Sequence, residues 1–264
     1  MSSEHLRERA YQYLSEQIVS GALPAGSQVS ELSLAKAIGI SRTPVREAIR
    51  RLVHEGLLEQ KPRFGTLVRS PDRQDIVEVF EEREALEGYA AGLAAERISD
   101  DDLARLERLC AEMARQAEAL DSSGSTLGAD ALHRFLTADM GFHLLLLRAA
   151  GNRRIMKIVA ESRMLSRVFG TPRQEHNRTV VAETCKHHDR VLRALKRRDA
   201  VAAQRCLIEH IHASKERALA HYDRTQAQRN AIPLGLPPAL LTELDRIEQG
   251  LSTNAPAAKP KRRA

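Results

Sequence analysis

The chain has 264 residues, 42% of them hydrophobic, which is enough for two domains with real cores. Its formal charge of +6 is a modest basic excess, compatible with a polyanionic partner. The polar start Met1-Ser-Ser-Glu-His is unlike a signal peptide, the longest apolar run, Leu144 to Leu147, is far too short to cross a bilayer, and three scattered cysteines (Cys110, Cys185, Cys206) argue against a disulfide framework. A cytoplasmic protein with no membrane partner is expected.

Leu6, Ala10, Leu14 and Ile18 give residues 5–20 a helical stripe, and Gly21, Pro24 and Gly26 then break the pattern. Ser30 can cap a second short helix whose inner face is Leu34, Ala35 and Ile38, with Gly39 as its left-handed stop. A third helix is expected near Thr43, with Thr43 as N-cap and Pro44 in the first turn. Its buried stripe is Val45, Ala48, Ile49 and Leu52, while Arg42, Arg46 and Arg50 recur every fourth residue on another face. Gly56 ends that helix, and Leu57–Lys61 and Thr66–Arg69 read as two strands around the turn Pro62-Arg63-Phe64-Gly65.

Helix, turn, helix and basic-tipped hairpin in this register are the parts of a winged helix-turn-helix, which holds one helix in the major groove of DNA. Arginine suits that position because its planar fork bonds guanine or phosphate in pairs. Residues 1–70 are therefore read as a DNA-binding domain for double-stranded DNA, with Arg42, Thr43, Arg46 and Arg50 as contact residues of the helix and Arg63 and Gly65 in the basic-tipped turn of the wing.

Pro71 and Asp72 mark the next boundary, with Asp72 as an N-cap. Helical stripes then fill about 73–97, 100–120, 129–150, 153–169, 178–197 and 200–221, with Ser99 and Asp199 as caps and Gly151 and Gly170 as stops. No strand pattern interrupts them, so residues 71–225 read as an all-α bundle and the whole chain as mainly α. A Ser/Gly-rich loop covers Asp121 to Gly128. Residues 226–264 form a tail with a short helix near 238–250 and a disordered Pro/Ala/Lys/Arg-rich end. That end reads either as a solubilising tail or as a source of sequence-blind attraction to DNA.

Ionisable groups recur on the inward stripes of the bundle: Arg83 between Val79 and Leu86, Asp139 and His143 between Phe135 and Leu146, His188 between Cys185 and Leu192, His210 between Leu207 and Ser214. A buried ion is costly unless paired or bound to metal. Asp139 and His143 are four apart on one helical face, and His188 and His210 can approach from neighbouring helices. Three imidazoles and a carboxylate suit Zn²⁺, Ni²⁺, Fe²⁺ or Mn²⁺ and leave coordination positions open. Any one of these histidines alone reads equally as a hydrogen-bonded core residue. Metal hydrolases and oxygenases use similar donors, but no general base, nucleophile elbow or phosphate loop accompanies these, so no enzyme activity is expected.

The run Gly39-Ile-Ser-Arg-Thr-Pro-Val-Arg-Glu-Ala-Ile, then Leu52-Val-His-Glu-Gly-Leu-Leu, then Arg63-Phe-Gly, resembles the GntR family of bacterial transcription regulators. Residues 73–221 resemble the FCD ligand-binding domain of its FadR-type branch, through Arg83-x-x-Leu-Glu87, Leu93-Ala-Ala, Asp139-x-x-Phe-His143, Gly151-Asn152, His188 with Ala194, Leu195 and Asp199, and His210. The resemblance implies operator contacts from Arg42, Thr43 and Arg46, a wing turn at Arg63 to Gly65 near the minor groove, and a homodimer. One departure is Leu32, where some members place a DNA-contacting arginine. In metal-binding members the residues matching Asp139, His143, His188 and His210 are the ligands, whereas His133, His176 and His212 match no ligand position. Members answer to small organic acids, often through the metal, so a small carboxylate effector is expected. Arg83 then reads either as the partner of the effector carboxylate or as a structural salt bridge to an acidic neighbour.

Overall fold

The computed structural model describes residues 3–120, 126–169 and 176–230, without the side chains of 167–169 and 228–230. Residues 121–125 of the expected loop, Gly170, the helix near 238–250 and the basic end lie outside the described residues. Met1–Asp223 cluster into one compact unit, and within it the apolar residues gather into two main cores and a smaller one.

The first core is built by α1 (Ser3–Val19), α2 (Glu31–Ile38), α3 (Arg42–His54), β1 (Leu58–Lys61) and β2 (Gly65–Val68). The predicted stripes meet there: Ala10, Leu14 and Ile18 of α1, Leu34, Ala35 and Ile38 of α2, Val45, Ala48, Ile49 and Leu52 of α3. Ser30 caps α2, its side chain accepting from the Ser33 amide at 3.3 Å, and Gly39 closes it in the left-handed conformation at φ 74°. Helix α3 begins earlier than expected. Its N-cap is Ser41, and Thr43 and Pro44 both lie inside the first turn. The missing N–H of a proline costs nothing anywhere in a first turn, where amides have no intrahelical partner.

The strands pair antiparallel from Leu58↔Val68 to Lys61↔Gly65, β1 starting one residue later than expected and β2 lying one residue earlier. Arg63 sits at the hairpin tip with φ 69°, a conformation uncommon outside glycine. Gln28 steadies that tip by donating from Nε2 to the Phe64 carbonyl at 3.0 Å.

The second core lies among α4 (Arg73–Arg97), α5 (Asp100–Glu118), α6 (Ala129–Ala150), α7 (Arg153–Phe169), α8 (Arg178–Lys196) and α9 (Ala200–Asn230). Asp72 and Asp75 form a reciprocal capping box at the start of α4, Ser99 caps α5, and Asp199 accepts from the Ala202 amide at 2.9 Å. Ala90, Ala91, Ala94 and Ala95 keep the inner face of α4 thin. At Gly88 the approach is closest, because an added Cβ would stand 2.6 Å from Ile208 Cγ1. Helix α9 runs past the expected 221 to Asn230; its apolar stripe ends near Tyr222, but good helix formers without glycine or proline carry it on.

The two main cores touch through α7. Met164 and Leu165 pack on the first core, Leu165 lies against Gly56 just after α3, and the Tyr11 hydroxyl of α1 reaches Met164 Sδ at 3.8 Å. Among the described residues no helix is long and apolar enough to cross a membrane.

Candidate functional site

Two constellations carry chemistry, one in each half. On the first, Arg42, Thr43, Arg46 and Arg50 are all exposed on α3, and Arg63 and Gly65 are exposed at the wing tip. Phe64 beside them is 67% exposed and Leu32 53% exposed. Arg42 and Arg46 are not free cations. Arg46 donates from Nε and Nη2 to the two oxygens of Glu31, each at 3.0 Å, and Arg42 donates from Nη2 to Glu31 Oε2 at 3.0 Å. Hydrogen bonds from Arg46 and Arg42 lower the Glu31 carboxyl to about 2.

The second constellation is buried. Asp139 and His143 of α6, His188 of α8 and His210 of α9 converge, and one ligand atom from each lies within 4.8 Å of all the others. The three imidazoles are 0–4% exposed. Each helix brings its residue inward because the flanking positions are core: Phe142 and Leu146 on α6, Val191 and Leu192 on α8, Leu207 and Ile211 on α9.

Hydrogen bonding fixes two of the rings. His143 Nδ1 is 2.6 Å from Glu87 Oε2 and His188 Nδ1 is 2.8 Å from the Thr184 carbonyl. A carboxylate and a carbonyl can only accept, so both rings carry their proton on Nδ1 and leave Nε2 as a bare lone pair when neutral. Both bare nitrogens face Asp139 Oδ1, at 3.8 Å from His143 and 3.2 Å from His188. The closer approach joins two acceptors and lacks hydrogen-bond geometry: His143 Nε2, His188 Nε2 and His210 Nδ1 are all buried without a hydrogen-bond partner. Orphaned acceptors around a carboxylate are what a bound cation would satisfy, so the residues present fit a divalent metal. Burial, then the charge of Arg163, push His143 down to about 4. Burial, then neighbouring His188 and His143, push His210 well below its ordinary range. Both rings are therefore neutral near pH 7, the state a metal requires.

Around the four stands a second set of charges, of which the sequence marks Arg83 and its neighbour Glu87 but not Arg163. Glu87 is fully buried and takes Arg83 Nε at 2.7 Å, Arg163 Nη1 at 3.2 Å and His143 together. Arg163 also donates from Nη2 to Asp139 Oδ2 at 3.0 Å. Burial opposes ionisation of Glu87, but Arg83 and Arg163 outweigh it and hold its carboxyl well below the usual range. Arg83 further donates to Ser166 Oγ at 2.9 Å, so the salt bridge to an acidic neighbour is present. The spacing Arg83 to Glu87, one helical turn, held the signal for this pair. Arg163 comes from α7, and nothing local marks it. His133 and His212 are exposed, His176 is buried away from the cluster, and the three cysteines are unpaired.

A winged helix-turn-helix joined to an all-α body defines a DNA-binding transcription regulator. The chain matches the gntR family of bacterial regulatory proteins over residues 6–68 and the FCD domain over residues 78–213. It is 31% identical over 197 residues to the "Probable D-xylose utilization operon transcriptional repressor" of Paenarthrobacter nicotinovorans, covering 75% of this chain and 81% of that relative. It is 26% identical over 205 residues to the uncharacterized regulator YdhC of Bacillus subtilis strain 168, covering 76% and 86%. The solved structure of E. coli McbR/YncC shares the fold, with TM-score 0.70 at 23% identity over 84% of this chain and 99% of that one. The protein belongs to the GntR family of bacterial transcription regulators and carries an FCD domain.

Proposed function

We propose that this regulator is a cytoplasmic homodimeric repressor whose operator affinity is set by a small organic acid bound at a metal-containing pocket. Asp139, His143, His188 and His210 would hold the divalent ion, Zn²⁺, Ni²⁺, Mn²⁺ or Fe²⁺. Bound there, such an ion supplies open coordination positions for a carboxylate. The observation that carries this reading is the set of three partnerless, buried imidazole nitrogens beside one carboxylate. Glu87 and the Thr184 carbonyl aim two of those nitrogens, and Arg163 holds the carboxylate. Arg83, which bonds Glu87 and Ser166, would pair with the effector carboxylate.

The DNA side rests on Arg42, Thr43, Arg46 and Arg50 of α3 with Arg63 and Gly65 of the wing. One wing domain makes few base contacts, so two act together on a pseudo-palindrome. Residues 1–70 read the operator and 71–225 bind the effector and dimerise. The signal passes as a population shift. Two routes connect the halves: the joint near Ser70 to Asp72, and the turn of α7 in which Arg163 and Ser166 face the buried charges while Met164 and Leu165 face the DNA-reading core.

A thermal-shift titration tests the sensing half. Zn²⁺ or Ni²⁺ should raise the melting temperature, and small carboxylates should add a further shift that disappears with a chelator. An acid shift that survives chelation would sink the metal-mediated reading, and a metal shift with no acid response would leave a structural or directly sensed ion. Gel shifts with Arg42→Ala and Arg46→Ala test the DNA half, where unchanged operator affinity would refute the assignment.

A further inference from the structure

Glu31 is the acid that holds Arg42 and Arg46 at the start of the reading helix, and its bonding pattern is selective. It takes Nε and Nη2 of Arg46, the lateral edge of the guanidinium, with both of its oxygens. The terminal edge of Arg46, both Nη1 hydrogens and the second hydrogen of Nη2, is left uncommitted and the side chain stays 48% exposed. An arginine reads guanine O6 and N7 with two parallel N–H groups, and the terminal edge offers such a pair. Arg42 is held by Nη2 alone. Glu31 itself is fixed at the first position of α2 behind the Ser30 cap, so the carboxylate ties the start of α2 to the start of α3, the end of the reading helix that meets base edges. A long side chain loses rotamer freedom on binding, and a carboxylate that holds two of them in advance removes part of that cost. It also cancels one positive charge, which weakens sequence-blind attraction to phosphate.

We propose that Glu31 is a positioning residue for operator recognition: it braces Arg46 by its lateral edge and Arg42 by one nitrogen, so that the free edges of both face the groove. This rests on Arg42 and Arg46 being the DNA contacts proposed above. Its consequence is a pair of effects of opposite sign. Glu31 strengthens binding to the cognate site and weakens binding to any other DNA.

The test uses the full-length protein, a duplex enriched by it from a random pool, and a scrambled duplex of the same composition. Glu31→Ala should lower affinity for the enriched duplex about tenfold, the scale of a weakened bidentate contact. Affinity for the scrambled duplex should stay the same or rise, and its log–log salt slope should steepen by about one unit. Glu31→Gln, which keeps one acceptor, should fall between. The melting curve should be unchanged, because the Ser30 cap and the α2 core face remain. If Glu31→Ala tightens both duplexes, the acid is a competitor of DNA and the brace is wrong. If it weakens both equally, or leaves the enriched duplex unaffected, the brace is also wrong. The Arg42→Ala/Arg46→Ala double variant separates this from the underlying assignment. If that variant keeps full affinity, the contact assignment fails. If it loses affinity while Glu31→Ala does not, only the brace fails. In that double background Glu31→Ala should have no further effect on the enriched duplex.

Discussion

Each half of the protein contains the same small device, one glutamate holding two arginines. In the DNA-reading half it is Glu31 with Arg42 and Arg46, whose side chains are 27%, 59% and 48% exposed. In the helical body it is Glu87 with Arg83 and Arg163, at 0%, 7% and 5%. The charges are alike, and the surroundings differ. At the surface, water screens the charges and can replace either partner, so the pairing is weak and open to exchange. In the core no solvent can replace a lost partner, so the same pairing is locked. The exposed device can present cations to a nucleic acid. The buried one holds its neighbours still, and those neighbours are His143 and Asp139.

The largest expected effect breaks or confirms that contrast directly. Glu87→Ala leaves Arg83 buried without a counter-ion and Arg163 with Asp139 alone, and should cost about 3–5 kcal/mol in urea unfolding. Glu31→Ala should leave the unfolding midpoint where it was. Equal small losses at both sites would show that burial does not distinguish them.

Acid should separate the two devices by pH. In the metal-free protein the His143 ring titrates at about 4, below its ordinary 6.5. Below 6.5 the unfolded chain takes up this proton first, so stability present above that pH is lost as pH falls towards 4. Glu31 is lowered from 4.5 to about 2; its pairs are exposed and screened, so what they add, too small to move the unfolding midpoint, is lost only as pH falls from 4.5 through 2. Melting temperature against pH should therefore begin to fall from about 6.5, and Glu31→Ala should not move that onset. Saturating Zn²⁺ should shift the onset to lower pH, because the metal competes with protons for the same nitrogens. A profile flat down to pH 4.5 in the metal-free protein would contradict the neutral-cluster description.

Much of this was legible in the sequence, for a specific reason. Helical periodicity assigns residues to faces, and it put Asp139, His143, His188 and His210 on inward faces, where they sit together. It also put Arg42 and Arg46 on the outward face of α3. What periodicity does not assign is the partner. Glu31 is 11 and 15 residues from the arginines it holds, and Arg163 is 76 residues from Glu87. Such pairings follow from how helices pack, and the local pattern is silent on them. Glu87 alone was within reach, since it follows Arg83 by one turn on the same face. The start of α3 is placed late because Thr43 before Pro44 reads as an N-cap, and the end of α9 early because the stripe fades after Tyr222, although neither prevents helix.

The smallest expected effect concerns how the two halves communicate. Arg163 and Ser166 bind the buried charges, and between them in sequence Met164 and Leu165 enter the DNA-reading core, Leu165 against Gly56. A displacement of Arg163 would thus be carried to the base of the reading helix by the same helical turn. Leu165→Ala shortens that contact without touching either site. It should leave Zn²⁺ affinity and metal-free operator affinity within about twofold of the parent, while the change in operator affinity on adding Zn²⁺ shrinks by about 0.5–2 kcal/mol, the range of coupling residues remote from both ligands. The measurement is operator affinity by fluorescence anisotropy, with Zn²⁺ and with chelator, in both proteins. A parental response in Leu165→Ala would move the signal to the other connection, Ser70 to Asp72, where Arg69 is bonded to Asp75 of the α4 capping box. Arg69→Ala should then abolish the response that Leu165→Ala spared, because that ion pair is the side-chain tie between the wing and the first turn of α4.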